Sequence, residues 1–454
     1  MNPPSLIRIP ERITFISAIS NGSLSPTNYQ EFVLINKNKK NLRQLVSGPI
    51  IKGREVGSQA YLKNSTKYFV RTKALQQEYI LINKETESIV PINPKFFIDY
   101  GVKNGDVLIS KDSNVGEVVY IDEDLPNYSI SAGINILRFT EYRYYILAFL
   151  KNDFFKKQLE ILIPKGATIK HAKDKYLECF IPFPKNEEII EDVTQLMKEW
   201  IYKERKIRSS VGLIDEILET EIFHNIGSKR NTTSGATYNE LSNVKRFDTG
   251  IYSKDYKDII QSIESYPGGY FRIPPNKFKS GSTPKDRVFG KGDKRWVTPS
   301  IVSKYGYMIN HETIICKEQN IKKNCVLTVN RTSKESLGEF VGISIFYDFD
   351  INGKGHHNQG MYRIEDFPDD KLKLITILLN SKKYRKLCGY ATMGSKMKEM
   401  KIKDFSLIPF PIFDDTLNNK LISNYDIILK ESHDLIEIKD KLENYVLKIT
   451  NDQL

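Results

Sequence analysis

Apolar residues recur along this chain in two registers, one helical and one strand-like. From 186 to about 223 they fall at Ile190, Val193, Met197, Trp200, Ile207, Val211, Ile214 and Leu218, in steps of three and four. That spacing predicts an amphipathic helix of about ten turns, about 54 Å long. Pro184 and a capping Asn186 mark its start, and Gly212 is a weak point inside it. Residues 416–449 repeat the pattern with Leu421, Ile428, Leu435, Ile438, Leu442, Tyr445 and Ile449. Each stripe is interrupted by a glutamate, Glu204 in the first and Glu431 in the second. A polar residue within a helix seam can fix register between partners; the other reading is that both glutamates face water. Two such helices predict an antiparallel pair.

Between the helical stretches the pattern turns strand-like. Tyr79-Ile80-Leu81-Ile82, Val107-Leu108-Ile109-Ser110 and Gly116 to Ile121 are short β-branched or aromatic runs bounded by Gly, Asn or Asp. Two further helices are expected over 28–45 and 143–162. The framework then repeats. Ile181-Pro182-Phe183-Pro184 returns as Ile408-Pro409-Phe410-Pro411, and Phe149-Leu150 as Leu378-Leu379. Val107-Leu108 before Gly116-Glu117 returns as Val326-Leu327 before Gly338-Glu339. The polar stretch 227–245 reads as a linker. The expected organisation is a first globular domain over 1–185, a helix over 186–226, a linker over 227–245, a second domain over 246–412 and a closing helix over 413–454. The fold class is α/β (α+β) with a pseudo-two-fold internal repeat. A repeated frame with divergent loops implies two related surfaces that read two different things.

Charge narrows the partner. Lys and Arg total 68 against 56 Asp and Glu, a formal net charge of +12, which favours an acidic partner and nucleic acid first. The cysteines Cys179, Cys316, Cys325 and Cys388 match no common zinc spacing and read as buried thiols. No apolar run approaches a membrane span, and the opening residues lack the apolar core of a signal peptide, so a cytoplasmic location is expected. No Gly-rich dinucleotide loop or P-loop occurs, and Asn2-Pro3-Pro4-Ser5 lacks the aromatic that a base-flipping methyltransferase motif needs. His356-His357 is expected in a polar loop rather than at a metal. The chain is therefore expected to be non-catalytic, with no metal.

Several short motifs together resemble the DNA specificity (S) subunits of type I restriction–modification systems. Ser280-Gly281-Ser282-Thr283-Pro284-Lys285, followed by Arg295-Trp296-Val297-Thr298-Pro299, is similar to the family's GGTP…W(V/I) opening. Asn358-Gln359-Gly360-Met361-Tyr362-Arg363 is similar to its NQ-containing strand. Gly105 to Ser110 is similar to its GDVL strand, and Gly166 to His171 to its G-S-T-I-K-H-I loop, with Gly394 to Lys398 a weaker counterpart. The first unit departs from the pattern: Gly53-Arg54 and Tyr68 to Arg71 stand where GGTP…W belongs. The stretch Arg246 to Tyr252 also resembles the opening of the recognition region in fused restriction–methylation enzymes.

The resemblance implies two target recognition domains, each reading one half of a split DNA sequence across a spacer set by the helices. It implies two docked N6-adenine methyltransferase (M) subunits carrying S-adenosylmethionine, and a restriction (R) subunit. A type II (IIB/IIG-like) specificity subunit and a protein adaptor that binds no DNA are the alternatives. The candidate DNA contacts are Lys52, Arg54, Arg71, Lys111 and Lys170 in the first unit. In the second they are Lys285, Arg287, Arg295, Asn330, Arg331, Asn358, Lys396 and Lys398. Arginine can bridge guanine O6 and N7, asparagine can bridge adenine N6 and N7, and lysine suits phosphate. Trp296 is expected in a core.

Overall fold

The computed structural model describes residues 7–16, 19, 29–84, 88–163, 171–224, 234–332, 340–394 and 397–454. The chain divides into two compact units, Met1–Arg205 with Glu437–Leu454 and Lys206–Ile436. The division falls inside both long helices, α1 (Glu187–Leu218) and α2 (Asp415–Thr450).

The first unit holds seven strands that frame its loops: β1 (Ile51–Lys52), β2 (Tyr68–Val70), β3 (Ile89–Pro91), β4 (Val107–Ser110), β5 (Val118–Tyr120), β6 (Tyr128–Ile130) and β7 (Ile134–Leu137). They form a four-stranded sheet in the order β1–β7–β4–β5 and a three-stranded sheet β3–β2–β6. Strand β2 runs parallel to β6, and the remaining pairs are antiparallel. Leu108, Val119, Ile134 and Ile136 close the core from the first sheet, Val70 and Ile130 from the second. The central strands β4 and β7 are mostly apolar because both of their faces are buried, and the buried Asn135 donates to the Tyr176 hydroxyl.

The second unit repeats this arrangement with β8 (Phe278–Ser280), β9 (Val288–Val297), β10 (Thr313–Ile315), β11 (Cys325–Val329), β12 (Ser344–Tyr347), β13 (Gly355–His357) and β14 (Met361–Ile364). The sheet orders are β8–β14–β11–β12 and β10–β9–β13, with β9 parallel to β13. Each of these seven strands of the first unit thus has a counterpart in the second, in the same order. The junctions match as well. Helix Arg143–Leu150 is followed by Asp153–Leu162, and Asp369–Asn380 by Lys382–Ala391. At the first junction the Lys151 ammonium donates to the carbonyls of Gln76, Tyr79 and Val118 at 2.9–3.1 Å. At the second, the Asn380 amide grips both the N–H and the carbonyl of Ser344. Lys151 is buried, and burial lowers its pKa to about 8.

The helix pairing is antiparallel within each unit. In the first, the Tyr445 hydroxyl donates to Asp192 and the Lys439 ammonium sits 4.9 Å above the Trp200 ring. In the second, Lys206 pairs with Glu431 at 2.7 Å.

Five readings change. Residues 28–45 are not one helix: Glu31–Phe32 and Lys39–Asn41 are strands, and only Leu42–Leu45 is helical. Buried Asn36 explains this, since its amide donates to the carbonyls of Phe183 and Ile449 and accepts from Asn38 N–H, while Asn41 caps the short helix. The helix over 143–162 is broken at Lys151 and restarts where Asn152 caps Phe154 N–H. Residues 79–82 are buried but form a single bridge, Leu81 to Tyr120, rather than a strand. Their N–H groups turn instead to Glu204, whose carboxylate accepts from Ile80 at 2.7 Å and Leu81 at 3.1 Å. Neither glutamate faces water: Glu204 is 1% exposed and Glu431 4%. Finally, His356 and His357 lie on buried strand β13, not in a polar loop.

The four cysteines are buried free thiols. Trp296 is buried and stacks on His356 at 5.8 Å. No helix among the described residues is long and apolar enough to cross a membrane.

Candidate nucleic-acid interface

In each unit four segments converge on one turn, and they do so through the same backbone hydrogen bonds. The turn of the first unit is 131–133, which joins β6 to β7. Ser131 N–H donates to Val70 O (3.0 Å), Arg54 N–H to Ile130 O (3.2 Å) and Gly53 N–H to Ile134 O (3.1 Å). Lys111 N–H donates to Gly133 O (2.8 Å), and Ala172 N–H to Lys111 O (2.7 Å). The turn of the second unit is 358–360, which joins β13 to β14. Asn358 N–H donates to Val297 O (3.0 Å), Ser282 N–H to His357 O (3.2 Å) and Gly281 N–H to Met361 O (3.3 Å). Asn330 N–H donates to Gly360 O (3.0 Å), and Met400 N–H to Asn330 O (2.9 Å). The two lists correspond bond for bond.

This correspondence fixes residue by residue an alignment that the motifs outline only roughly. Gly53 matches Gly281, Arg54 matches Ser282, Lys111 matches Asn330, Ala132 matches Gln359 and Gly133 matches Gly360. Phe69, opposite Ser129 in the parallel pair, matches Trp296, opposite His356. The first unit therefore keeps the geometry of the glycine and tryptophan motif without its residues. The glycines are required by close approach. A Cβ on Gly53 would lie 2.1 Å from Ser131 O, and one on Gly281 would lie 2.0 Å from Asn358 O.

The candidate contacts of the first unit gather on this frame. Lys52 ends β1 and pairs with Asp174 at 2.8 Å. Arg54 and Arg71 are exposed, and neither side chain enters an ion pair or hydrogen bond among the described residues. Lys111 contributes both its N–H and its carbonyl to the frame. Beside it Asp112 pairs with the half-exposed His171 at 2.7 Å. Lys170 lies outside the described residues, as does Lys396 in the second unit.

In the second unit Asn330 and Asn358 belong to the frame itself, and the charged candidates lie around it. Lys285 is exposed just beyond the frame. Arg287 is turned inward, its guanidinium donating to Pro284 O at 3.0 Å and lying 5.6 Å from the Phe289 ring. Arg295 is half-buried on β9, opposite Gly355. Arg331 and Lys398 meet across a two-stranded ladder that pairs Arg331 with Glu399 and Thr332 with Lys398. Asn358 accepts from Gly360 N–H at 2.9 Å, which shapes the turn. Asn330 is 2% exposed and its amide donates to Gln359 O at 3.1 Å, so that group is engaged inside the fold rather than at a surface.

Sequence reading passed over Gln359. The stretch Asn358 to Arg363 read as a strand, whereas the strand begins at Met361 and Gln359 is an exposed turn residue. Its side-chain oxygen accepts from the Thr283 hydroxyl, which fixes the amide at the turn. A glutamine followed by glycine after an apolar strand is the turn signal that could have found it. Below the turn burial lowers the pKa of His356, and lowers that of His357 to about 3. His357 Nδ1 lies 2.9 Å from Asn320 Oδ1. Among the described residues no cluster of His, Cys, Asp or Glu could hold a metal ion.

No family model matches the sequence, and no curated protein matches it. Among solved structures there are similar chains, at low scores. The S subunit of a type I restriction–modification system from M. genitalium is similar over 93% of this chain and 98% of its own, at 13% identity and a TM-score of 0.37. A chain solved for the complex assembly and conformational transition of the type I R-M system covers 93% of this chain and 100% of its own, at 12% identity and a TM-score of 0.31. The HsdS subunit from Thermoanaerobacter tengcongensis covers 92% of this chain and 97% of its own, at 14% identity and a TM-score of 0.29. Scores this low carry no function from one chain to another.

Proposed function

We propose that this chain is the non-catalytic DNA-specificity subunit of a type I restriction–modification complex. Each unit reads one half of a bipartite target with the loops gathered at its central turn. The observation that carries this reading is the duplicated frame: the same set of backbone bonds presents different side chains, Arg54 against Ser282 and Ala132 against Gln359. A scaffold that repeats its backbone and varies its exposed groups suits the reading of two unrelated half-sites. The net charge of +12 supplies the sequence-independent attraction to phosphate.

The paired helices set the spacer and dock two M subunits, which bring S-adenosylmethionine and methylate adenine N6, and an R subunit joins them. The cytoplasm, where the chromosome lies, is the compartment this role requires. Replacing residues 246–412 by the matching unit of a relative tests the modular claim. One half of the methylated sequence should change while the other stays. A change in both halves, or in neither, would contradict one unit per half-site.

A further inference from the structure

The shared frame permits a position-by-position comparison of the chemistry each unit offers, and the two units differ in kind. Around the first turn stand two exposed guanidiniums, Arg54 and Arg71, with no ion pair among the described residues. Their frame counterparts are the exposed Ser282 and the buried Thr298, whose hydroxyl is bonded to that of Ser300, since Val70 matches Val297 and the next residues follow. Both arginines leave from pinned backbone: Arg54 N–H donates to Ile130 O at 3.2 Å, and Arg71 N–H to Ser88 O at 2.9 Å. The turn between them carries only the small residues Ser131, Ala132 and Gly133. Gly133 is pressed against its neighbours, and a Cβ there would lie 2.6 Å from Thr72 Cγ2. The other cations differ: Lys52 is held by Asp174, and Lys111 has no planar fork.

We infer that Arg54 and Arg71 are specificity-determining residues of the first unit and that they read guanine. The second half-site is read through the neutral exposed groups Gln359 and Ser282. This rests on the DNA-specificity reading above. The physical reason is geometric. A guanidinium donates two parallel N–H groups to guanine O6 and N7, and a rigid origin for the side chain favours a base edge over a phosphate that any mobile lysine could reach. Gln359, fixed by Thr283, offers the donor and acceptor pair that suits adenine.

The test selects bound duplexes from a library of random 40-base-pair DNA with the full chain, and repeats the selection with Arg54→Lys, Arg71→Lys and Gln359→Ala. Lysine keeps the charge and removes the bidentate fork. The expected result is a split motif with guanine in one half. Either lysine variant should lose at least about 10-fold of guanine preference in that half, corresponding to about 1.4 kcal/mol, and leave the other half intact. Gln359→Ala should affect only the other half. Melting temperatures should stay within a few degrees of the parent, which excludes misfolding. A split motif unaltered by both lysine variants would overturn the guanine assignment and leave the specificity reading standing. Absence of any enriched motif, together with salt-insensitive retention of the library, would overturn both.

Discussion

Glu204 shows how one side chain can decide the course of a remote segment. Its carboxylate is buried and accepts the N–H groups of Ile80 and Leu81, 124 and 123 residues away. Glu204→Ala leaves two buried donors without that partner, and about 2–4 kcal/mol of unfolding free energy should be lost in urea titration. A loss below about 0.5 kcal/mol would show that the 79–82 segment does not depend on this residue. Lys151 gives a pH-dependent counterpart. Its pKa falls from 10.5 to about 8 through burial. Between those values the unfolded chain binds the extra proton, so its contribution to stability is smallest below about pH 8 and grows toward pH 10.5. Buried thiols such as Cys388, raised to about 12, act in the opposite sense above about pH 9, so the comparison must be with a variant. The stability difference between the parent and Lys151→Met should shift in favour of the parent by up to about 1.4 kcal/mol per pH unit in that window. A flat difference would mean that Lys151 folds with an ordinary pKa.

At the scale of elements, what was legible in the sequence depended on the distance to the partner. The stripes of α1 and α2 are local patterns: α1 starts at Glu187 and runs on as a π-helix to Phe223, and α2 spans Asp415–Thr450. Strand β4 likewise announces itself as a short apolar run. Residues 28–45 misled because Asn36 bonds Ile449, 413 residues further along, and nothing in the local sequence reveals that partner. Half of the candidate site was legible for the same reason. Arginines in loops can be listed from the sequence, and Gly281 sits in a recognisable motif. Gly53-Arg54 already stands in the sequence where that motif belongs, and the backbone bonds fix the match as Gly53 with Gly281. The two glycines should behave alike. Gly53→Ala and Gly281→Ala each place a Cβ about 2 Å from a carbonyl oxygen. Each should weaken DNA binding by at least about 10-fold, measured by fluorescence anisotropy on the cognate duplex, and blur only its own half-site. Full affinity in either variant would show that the close approach is not needed for recognition.

For the whole molecule the central claim is that two units on one chain specify one split DNA sequence. The excess of positive charge and the duplicated frame both bear on it, the first through affinity and the second through selectivity. The most direct measurement is single-molecule methylation sequencing of DNA from cells expressing the methyltransferase encoded beside this chain, with and without the chain. The account predicts N6-methyladenine in both halves of a bipartite motif of fixed spacing, present only when the chain is present. An active methyltransferase whose modified sequence is the same with and without the chain would contradict it.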